Sequence, residues 1–136
     1  MTTGFDPERW QPVLDRETAL FDAVIPGAAV ALVDRGDWDT GSGRMLEWRA
    51  DEFGCLVAAT RPWNGLGYSK ADVVLVGADA AFSAVFSGRQ PMRALRDGIR
   101  SGDIILFVTK CETGLRGAGW EEFLESLGLA FMGACR

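Results

Sequence analysis

Arginine recurs every three or four residues in the second half of the chain, at Arg89, Arg93, Arg96 and Arg100. In a helix this spacing places the side chains on one side, and guanidinium groups bind phosphates and carboxylates well. Arg89, Arg93 and Arg96 are therefore candidates for contacting an anionic head group, such as a lipid phosphate or a coenzyme A ester. The plainer interpretation, a solvated helix face near Asp97 and Asp103, stays open.

Large apolar side chains are more frequent after position 80 than a closing helix alone requires. Ligand pockets are mostly apolar with few polar anchors, and methionine and phenylalanine adapt to irregular ligands. A plain hydrophobic core would account for most of the same residues, so both interpretations stay open. The candidates for lining a ligand pocket are Phe82, Phe86, Met92, Leu95, Trp120, Phe123, Leu127 and Phe131.

Histidine is absent from the 136 residues, which removes Ser-His-Asp triads, Cys–His dyads and histidine metal sites together. Cys55, Cys111 and Cys135 are far apart and form no CxxC pair. We therefore expect buried or free thiols in a reducing compartment and no zinc site. Paired carboxylates such as Asp51-Glu52 have structural roles that suffice. The sequence predicts no catalytic residue, no metal and no cofactor.

Two kinds of loop resemble ion or nucleotide sites only in part. The acidic stretch after Asp34 resembles a calcium loop, but the twelfth position counted from Asp37 is Trp48, which cannot bind a metal. Gly41-Ser42-Gly43 and Gly65-Leu66-Gly67 lack the third glycine and the following helix of a dinucleotide loop. Solvated turns are the expected structures at all these places.

Composition and charge are typical of one globular domain, which we expect to span residues 1–136. Apolar residues make up 48% and charged residues 24% of the chain. The formal net charge of −5 argues against nucleic acid as a partner. The longest apolar run, 23–33, is shorter than the ~20 residues of a membrane span, and the N-terminus does not have the pattern of a signal peptide. The expected protein is soluble and cytoplasmic.

The elements that must position these candidates follow from local patterns. Asp6-Pro7-Glu8 predicts a helix start, and Pro26-Gly27 its end. Strands are predicted over 28–33, 44–49, 53–60, 68–76 and 104–108, with turns over 34–43 and 62–67. Further helices are predicted over 79–86, 91–98 and from Trp120 onward, after a glycine-rich loop at 114–119. This order predicts an α+β fold, a mostly antiparallel sheet of about five strands with helices packed on one face.

Several local signals between positions 69 and 107 follow one another in a characteristic order. They are Lys70-Ala71-Asp72, a strand, a helix over 79–86, Ser87-Gly88-Arg89, Pro91, Ala94, Gly98 and a final strand. This order resembles the second half of a sterol carrier protein domain, the non-specific lipid-transfer type. The first 68 residues resemble that family only in the order of their elements. The resemblance implies a sterol-carrier-like fold in which the helix over 120–132 closes an apolar cavity.

What the resemblance implies about function is a small soluble carrier or binding protein. Its partner would be a hydrophobic molecule (a sterol, fatty acid, acyl-CoA or other lipid) held between sheet and helices without covalent chemistry. One alternative is a ligand-free interaction or dimerisation module, or an accessory subunit of the same fold, which would form a homodimer. Another is an enzyme acting through Tyr68 or Asp72; this is disfavoured because no nucleophile–base pair is visible.

Overall fold

The computed structural model describes residues 3–129. Its strands are β1 Ala29–Asp34, β2 Gly43–Ala50, β3 Leu56–Trp63, β4 Val73–Gly77 and β5 Ile104–Val108. Its α-helices are α1 Pro7–Arg16, α2 Arg35–Thr40, α3 Asp79–Ser83, α4 Pro91–Ser101, α5 Glu112–Ala118 and α6 Glu121–Ser126. Short 3-10 helices occupy Thr3–Phe5, Thr18–Phe21, Leu66–Tyr68 and Ala84–Phe86.

The five strands form one sheet in the order β3-β2-β1-β4-β5. The β1–β4 pair is parallel, and the other three pairs are antiparallel. The α+β class and the five strands are confirmed, but the sheet is mixed. After β3 the chain crosses to the far side of β1, and no pattern inside a strand specifies its neighbour. The parallel pair is the part that the sequence did not reveal.

Buried apolar residues place β1 and β4 in the middle of the sheet. Residues 29–33 and 73–76 have at most 1% of their surface exposed. Strands covered on both faces have continuous apolar runs of this kind instead of an apolar–polar alternation. The prediction of a doubly covered strand near 28–33 is therefore confirmed.

Helices lie on both faces of the sheet, so the prediction that they pack on one face is wrong. The main core packs the helices against one face, with Trp10, Trp48 and Trp120 fully buried in it. On the opposite face, Trp38 of α2 stacks on Phe107 and Trp63, with ring centroids 4.5 Å and 5.9 Å away. None of the helices within residues 3–129 has the length and apolar character needed to cross a membrane.

The predicted turn over 34–43 contains the helix α2. Asp34 caps its start by accepting a hydrogen bond from the Gly36 N–H at 2.9 Å, and Gly41 ends it in the left-handed conformation with φ +75°. Glycine and aspartate are typical of turns and equally typical of helix ends. In the folded protein, the partly buried Trp38 of this helix packs on the second face of the sheet.

Other boundaries also differ from the predictions. The predicted loop at 114–119 is mostly the helix α5, which ends at Gly119 with φ +93°. The first helix ends at Arg16, well before Pro26, and α4 continues through Gly98 to Ser101. The beginning of the predicted strand over 68–76 lies outside β4, in a 3-10 helix and a loop.

The expectation of reduced thiols is wrong for one cysteine. Cys111 is disulfide-bonded, whereas Cys55 is free and exposed. Cys135 lies outside the described residues.

The side-chain amide of Gln11 attaches α1 to the edge strand β3. Its Nε2 donates a hydrogen bond to the Leu56 carbonyl at 2.9 Å, and its Oε1 accepts one from the Ala58 N–H at 2.8 Å. One amide group therefore satisfies a backbone acceptor and a backbone donor two residues apart, as a neighbouring strand would.

Candidate functional site

The predicted pocket-lining residues come together as the packed core. Six of the eight are buried, with exposures between 0% and 7%: Phe82, Met92, Leu95, Trp120, Phe123 and Leu127. The Phe123 ring contacts both Trp120 and Trp48, at centroid distances of 5.8 Å and 5.6 Å. The plainer interpretation thus accounts for these six side chains, and their contact with a ligand stays a prediction.

The other two predicted lining residues have different surroundings. Phe86 is only partly buried; it packs on Trp10 at 5.2 Å and lies beneath the Arg9 guanidinium, 5.6 Å from its ring centroid. Phe131 lies outside the described residues. Neither residue extends the cluster of six.

An open groove with a volume of about 680 Å³ lies between α3 and α4. Small side chains line most of it, namely Ala78, Ala80, Ala81, Ala84, Ala94 and Gly98. Arg35, Asp97, Ser101 and Asp103 supply its polar part. We call this feature the alanine groove. Its volume falls within the roughly 300–1,000 Å³ of small-molecule sites.

The alanine groove exists because both of its walls are made of short side chains. On the α3 side, Ala84 lies three residues after Ala81 and four after Ala80. On α4, Gly98 lies four residues after Ala94. Positions three or four apart share a helix face, so two small faces oppose each other. Sequence reasoning aimed at large apolar residues missed this, although the alanine spacing was the signal.

The predicted head-group arginines are partly brought together. Arg93, Arg96 and Arg100 line a pocket of about 350 Å³ with Gln90, Asp97 and Ser126. Arg89 is not among the residues lining it. We call this feature the arginine pocket. Asp97 lines both it and the alanine groove, so the two features adjoin along α4.

The charge of the arginine pocket is not neutralised locally. The side chains of Arg93, Arg96 and Arg100 take part in no ion pair or hydrogen bond within residues 3–129, and Asp97 is the one acid in the lining. The Arg96 Nε is buried without a hydrogen-bond partner in this range. Buried polar groups are normally satisfied, so this guanidinium is expected to gain from an added acceptor.

The two residues considered for catalysis have different surroundings. Asp72 is buried, and its Oδ2 accepts hydrogen bonds from the Trp120 Nε1 at 2.8 Å and the Ala29 N–H at 3.2 Å. Its Oδ1 lies 2.8 Å from the Lys110 Nζ. Tyr68 is 83% exposed. Asp72 therefore joins β1, β4 and the start of α6, which is a structural role.

A second buried acid, Glu47, lies on β2 and was not singled out in the sequence. The Arg49 guanidinium donates to both of its carboxylate oxygens, at 2.9 Å and 2.8 Å. These hydrogen bonds raise the pKa of Arg49 above its ordinary value. Within residues 3–129, no three Cys, Asp or Glu side chains are grouped so that they could hold a metal ion.

Comparison with known proteins gives similarity to solved structures only. No family model and no curated protein matches the chain. One similar structure is the solution structure of a conserved hypothetical protein from Thermus thermophilus, considered a candidate sterol carrier protein. It is 18% identical, with a TM-score of 0.48, over 93% of this chain and 85% of that one.

The crystal structure of sterol carrier protein 2 is similar to the same degree. It is 20% identical, with a TM-score of 0.47, over 91% of this chain and 95% of that one. Both similar structures are thus less than 25% identical to this chain, with TM-scores below 0.5. This similarity concerns the fold, and it assigns neither a ligand nor a site to this chain.

Proposed function

We propose that this protein binds a long-chain amphiphile reversibly, with the apolar chain in the alanine groove and an anionic head group in the arginine pocket. The observation that carries the proposal is that an open apolar groove adjoins three arginine side chains that form no ion pair within residues 3–129, and that Asp97 lines both features. Binding would need no covalent step.

General interaction energies support binding at both the groove and the arginine pocket. Apolar surface that leaves water contributes about 25 cal/mol per Å², and the groove, with a volume of about 680 Å³, is open to solvent. Hydrogen bonds to charged groups contribute about 1.5–3 kcal/mol when they exclude water. The head group would therefore add to the affinity and fix the direction of the chain.

The arginine pocket also favours some of the predicted ligands over others. A fatty acid or an acyl-CoA carries an oxyanion that guanidinium groups bind in a two-pronged way. A neutral sterol offers one hydroxyl, which three guanidinium groups have little reason to prefer. Among the ligands implied by the sequence resemblance, the anionic ones fit this surface best.

The groove is a better location for the apolar chain than the predicted core cluster. Leu95, Trp120 and Phe123 have no exposed surface, so a chain among them would have to separate side chains that are in contact. Opening a close-packed core costs dispersion and burial energy. The groove requires no such separation.

A fluorescent fatty acid titrated into delipidated protein tests the proposal. Ala84→Glu puts a charge into the groove and should weaken binding about tenfold, equivalent to ~1.4 kcal/mol. Ser87→Glu, at an exposed position just outside the groove lining, is the matched control. The double variant R93Q/R96Q should bind the fatty acid more weakly and bind a fatty alcohol of equal length as the parent does. Arg16→Gln should change the binding of neither ligand. Equal binding by Ala84→Glu and Ser87→Glu would refute the groove.

A second candidate, the dimerisation module, is favoured by one specific observation. β5 is the last strand at its end of the sheet, and its Ile105 and Val108 are 44% and 46% exposed. Apolar edge strands are common sites of strand pairing between chains. Light scattering should then give a mass that rises with concentration and falls to the monomer mass in Ile105→Glu; a constant monomer mass would exclude this function.

A further inference from the structure

A second pocket, with a volume of about 360 Å³, lies on the sheet face opposite the main core. Met45, Glu47 and Arg49 alternate along β2, and Arg61 is paired with Met45 across the β2–β3 ladder. Residues directly paired in an antiparallel ladder point to the same face. These long side chains therefore share one surface, which has no part in the alanine groove.

Small residues lie beside Glu47 in the sheet. In the sheet register Glu47 is flanked by Ala31 of β1 and Ala59 of β3. Both neighbours carry only a methyl group, whereas Glu47 and Arg49 carry long side chains that line the pocket. The loop after β3 completes the wall, and the remaining lining residues are Pro62, Trp63, Asn64, Tyr68, Ser69 and Lys70.

The pocket carries an excess of positive charge. Glu47 is 3% exposed, and both of its oxygens are bonded to Arg49. The Arg61 Nε lies 3.8 Å from Glu47 Oε1, beyond hydrogen-bond distance, and the Arg61 side chain is 58% exposed. Lys70 is exposed and forms no ion pair within residues 3–129. Three cations thus face one carboxylate, in a chain whose net charge is −5.

We propose that this pocket binds a small aromatic oxyanion, that is, a carboxylate or phosphate monoester on a planar ring. Arg49 and Glu47 neutralise each other, so the oxyanion pairs with Arg61 and Lys70. Charged groups at exposed positions attract anions weakly and are screened by salt. Binding is therefore modest in strength and decreases as salt is added.

The apolar part of the lining accounts for the ring. The Tyr68 ring is 83% exposed at the pocket wall, and Met45, Pro62 and Trp63 supply the other apolar surfaces. Aromatic rings stack in offset or edge-to-face geometry with a gain beyond their burial. A planar ligand can cover Tyr68 while its oxyanion reaches Arg61 and Lys70.

The test is a titration of isotope-labelled protein followed by amide resonances, with phenyl phosphate, benzoate, inorganic phosphate and phenol as probes. Phenyl phosphate and benzoate should shift the amides of residues 61–70, and both should bind more tightly than inorganic phosphate or phenol. The double variant R61Q/K70Q should weaken phenyl phosphate about tenfold, as expected for the loss of charge-assisted contacts. Arg16→Gln, an exposed arginine on α1, is the charge-matched control.

Specific outcomes would overturn the inference. They are an absence of shifts at 61–70, equal binding by R61Q/K70Q and the parent, or an equal loss in Arg16→Gln. Tyr68→Ala should lower the affinity for phenyl phosphate to that for inorganic phosphate. An unchanged ratio of these two affinities would refute the role of the ring. Circular dichroism confirms that each variant is folded. Because fatty-acid binding should be unchanged in R61Q/K70Q, this result is separable from that of the alanine groove.

Discussion

Asp72→Ala is expected to be among the most damaging single substitutions in this protein. The carboxylate is 2% exposed, and one of its oxygens accepts from the Trp120 Nε1 and the Ala29 N–H. Removing it leaves two buried donors without an acceptor, and each such donor costs about 1–3 kcal/mol. The Lys110 side chain is 48% exposed, so water solvates it and its lost ion pair adds at most about 1 kcal/mol. The sum is about 4 kcal/mol.

Two milder variants separate the contributions of hydrogen bonding and charge at this position. Asp72→Asn keeps one carbonyl oxygen for the Trp120 and Ala29 donors and should cost about 1–2 kcal/mol, since only the charge assistance and the Lys110 pair are lost. Lys110→Gln leaves both donors satisfied and should cost about 1 kcal/mol. Asp22→Asn, at an exposed position, should change stability by less than about 0.5 kcal/mol.

Urea unfolding, followed by tryptophan fluorescence, measures these differences. The slope with denaturant should stay constant, because all four variants expose the same surface on unfolding. The reasoning is refuted if Asp72→Ala costs less than about 1.5 kcal/mol, or if it equals Asp72→Asn. Either result would mean that water reaches the Trp120 indole and the Ala29 amide without the carboxylate.

Two further stability predictions concern α5 and the second face of the sheet. Gly119→Ala should lower the free energy of unfolding by at least about 2 kcal/mol, because φ is +93° and a Cβ there would overlap the Ala23 carbonyl. Gly117→Ala, at a position of α5 with open space around it, should stabilise the protein by up to about 1 kcal/mol. Thermal unfolding compares the two variants. Trp38→Ala should lower the free energy of unfolding by about 2 kcal/mol and weaken the near-ultraviolet circular dichroism, because the stacking of Trp38 on Phe107 and Trp63 is lost. Trp38→Phe should keep most of the stability and most of the circular dichroism signal. Equal losses in the two variants would contradict the stacking argument.

The parts of the fold that could be predicted are those with local causes. Asp6 accepts from the Glu8 N–H at 2.9 Å at the start of α1, as the Asp-Pro-Glu pattern indicates, and the apolar runs near 29 and 104 became β1 and β5. The parallel pairing of β1 with β4 could not be predicted, because it depends on which strands meet after a long connection. The helix α2 was missed because its local signals are equally those of a turn, and the packing of Trp38 on Phe107 and Trp63 is seen only in the folded protein.

The candidate sites also divide into features with a local sequence signal and features that depend on the folded structure. Periodicity placed Arg93 and Arg96 on one side of a helix, and the structure does group them. The alanine groove was missed because attention to large side chains overlooks the space that small ones leave. Glu47 was missed because its burial depends on Ala31 and Ala59 in two neighbouring strands, which only the sheet register brings beside it.

The Gln11 amide has a consequence for how this protein avoids assembling through its sheet. In an edge strand, every second residue points its N–H and C=O groups away from the sheet. In β3 these outward-pointing residues include Leu56 and Ala58. Gln11 already occupies the Leu56 carbonyl and the Ala58 amide, and Pro62, in the same phase, has no N–H to offer. Of the outward donors from Ala58 to Pro62, only that of Thr60 remains. A foreign strand would find few free donors to pair with at β3, so growth of the sheet is favoured at its opposite end.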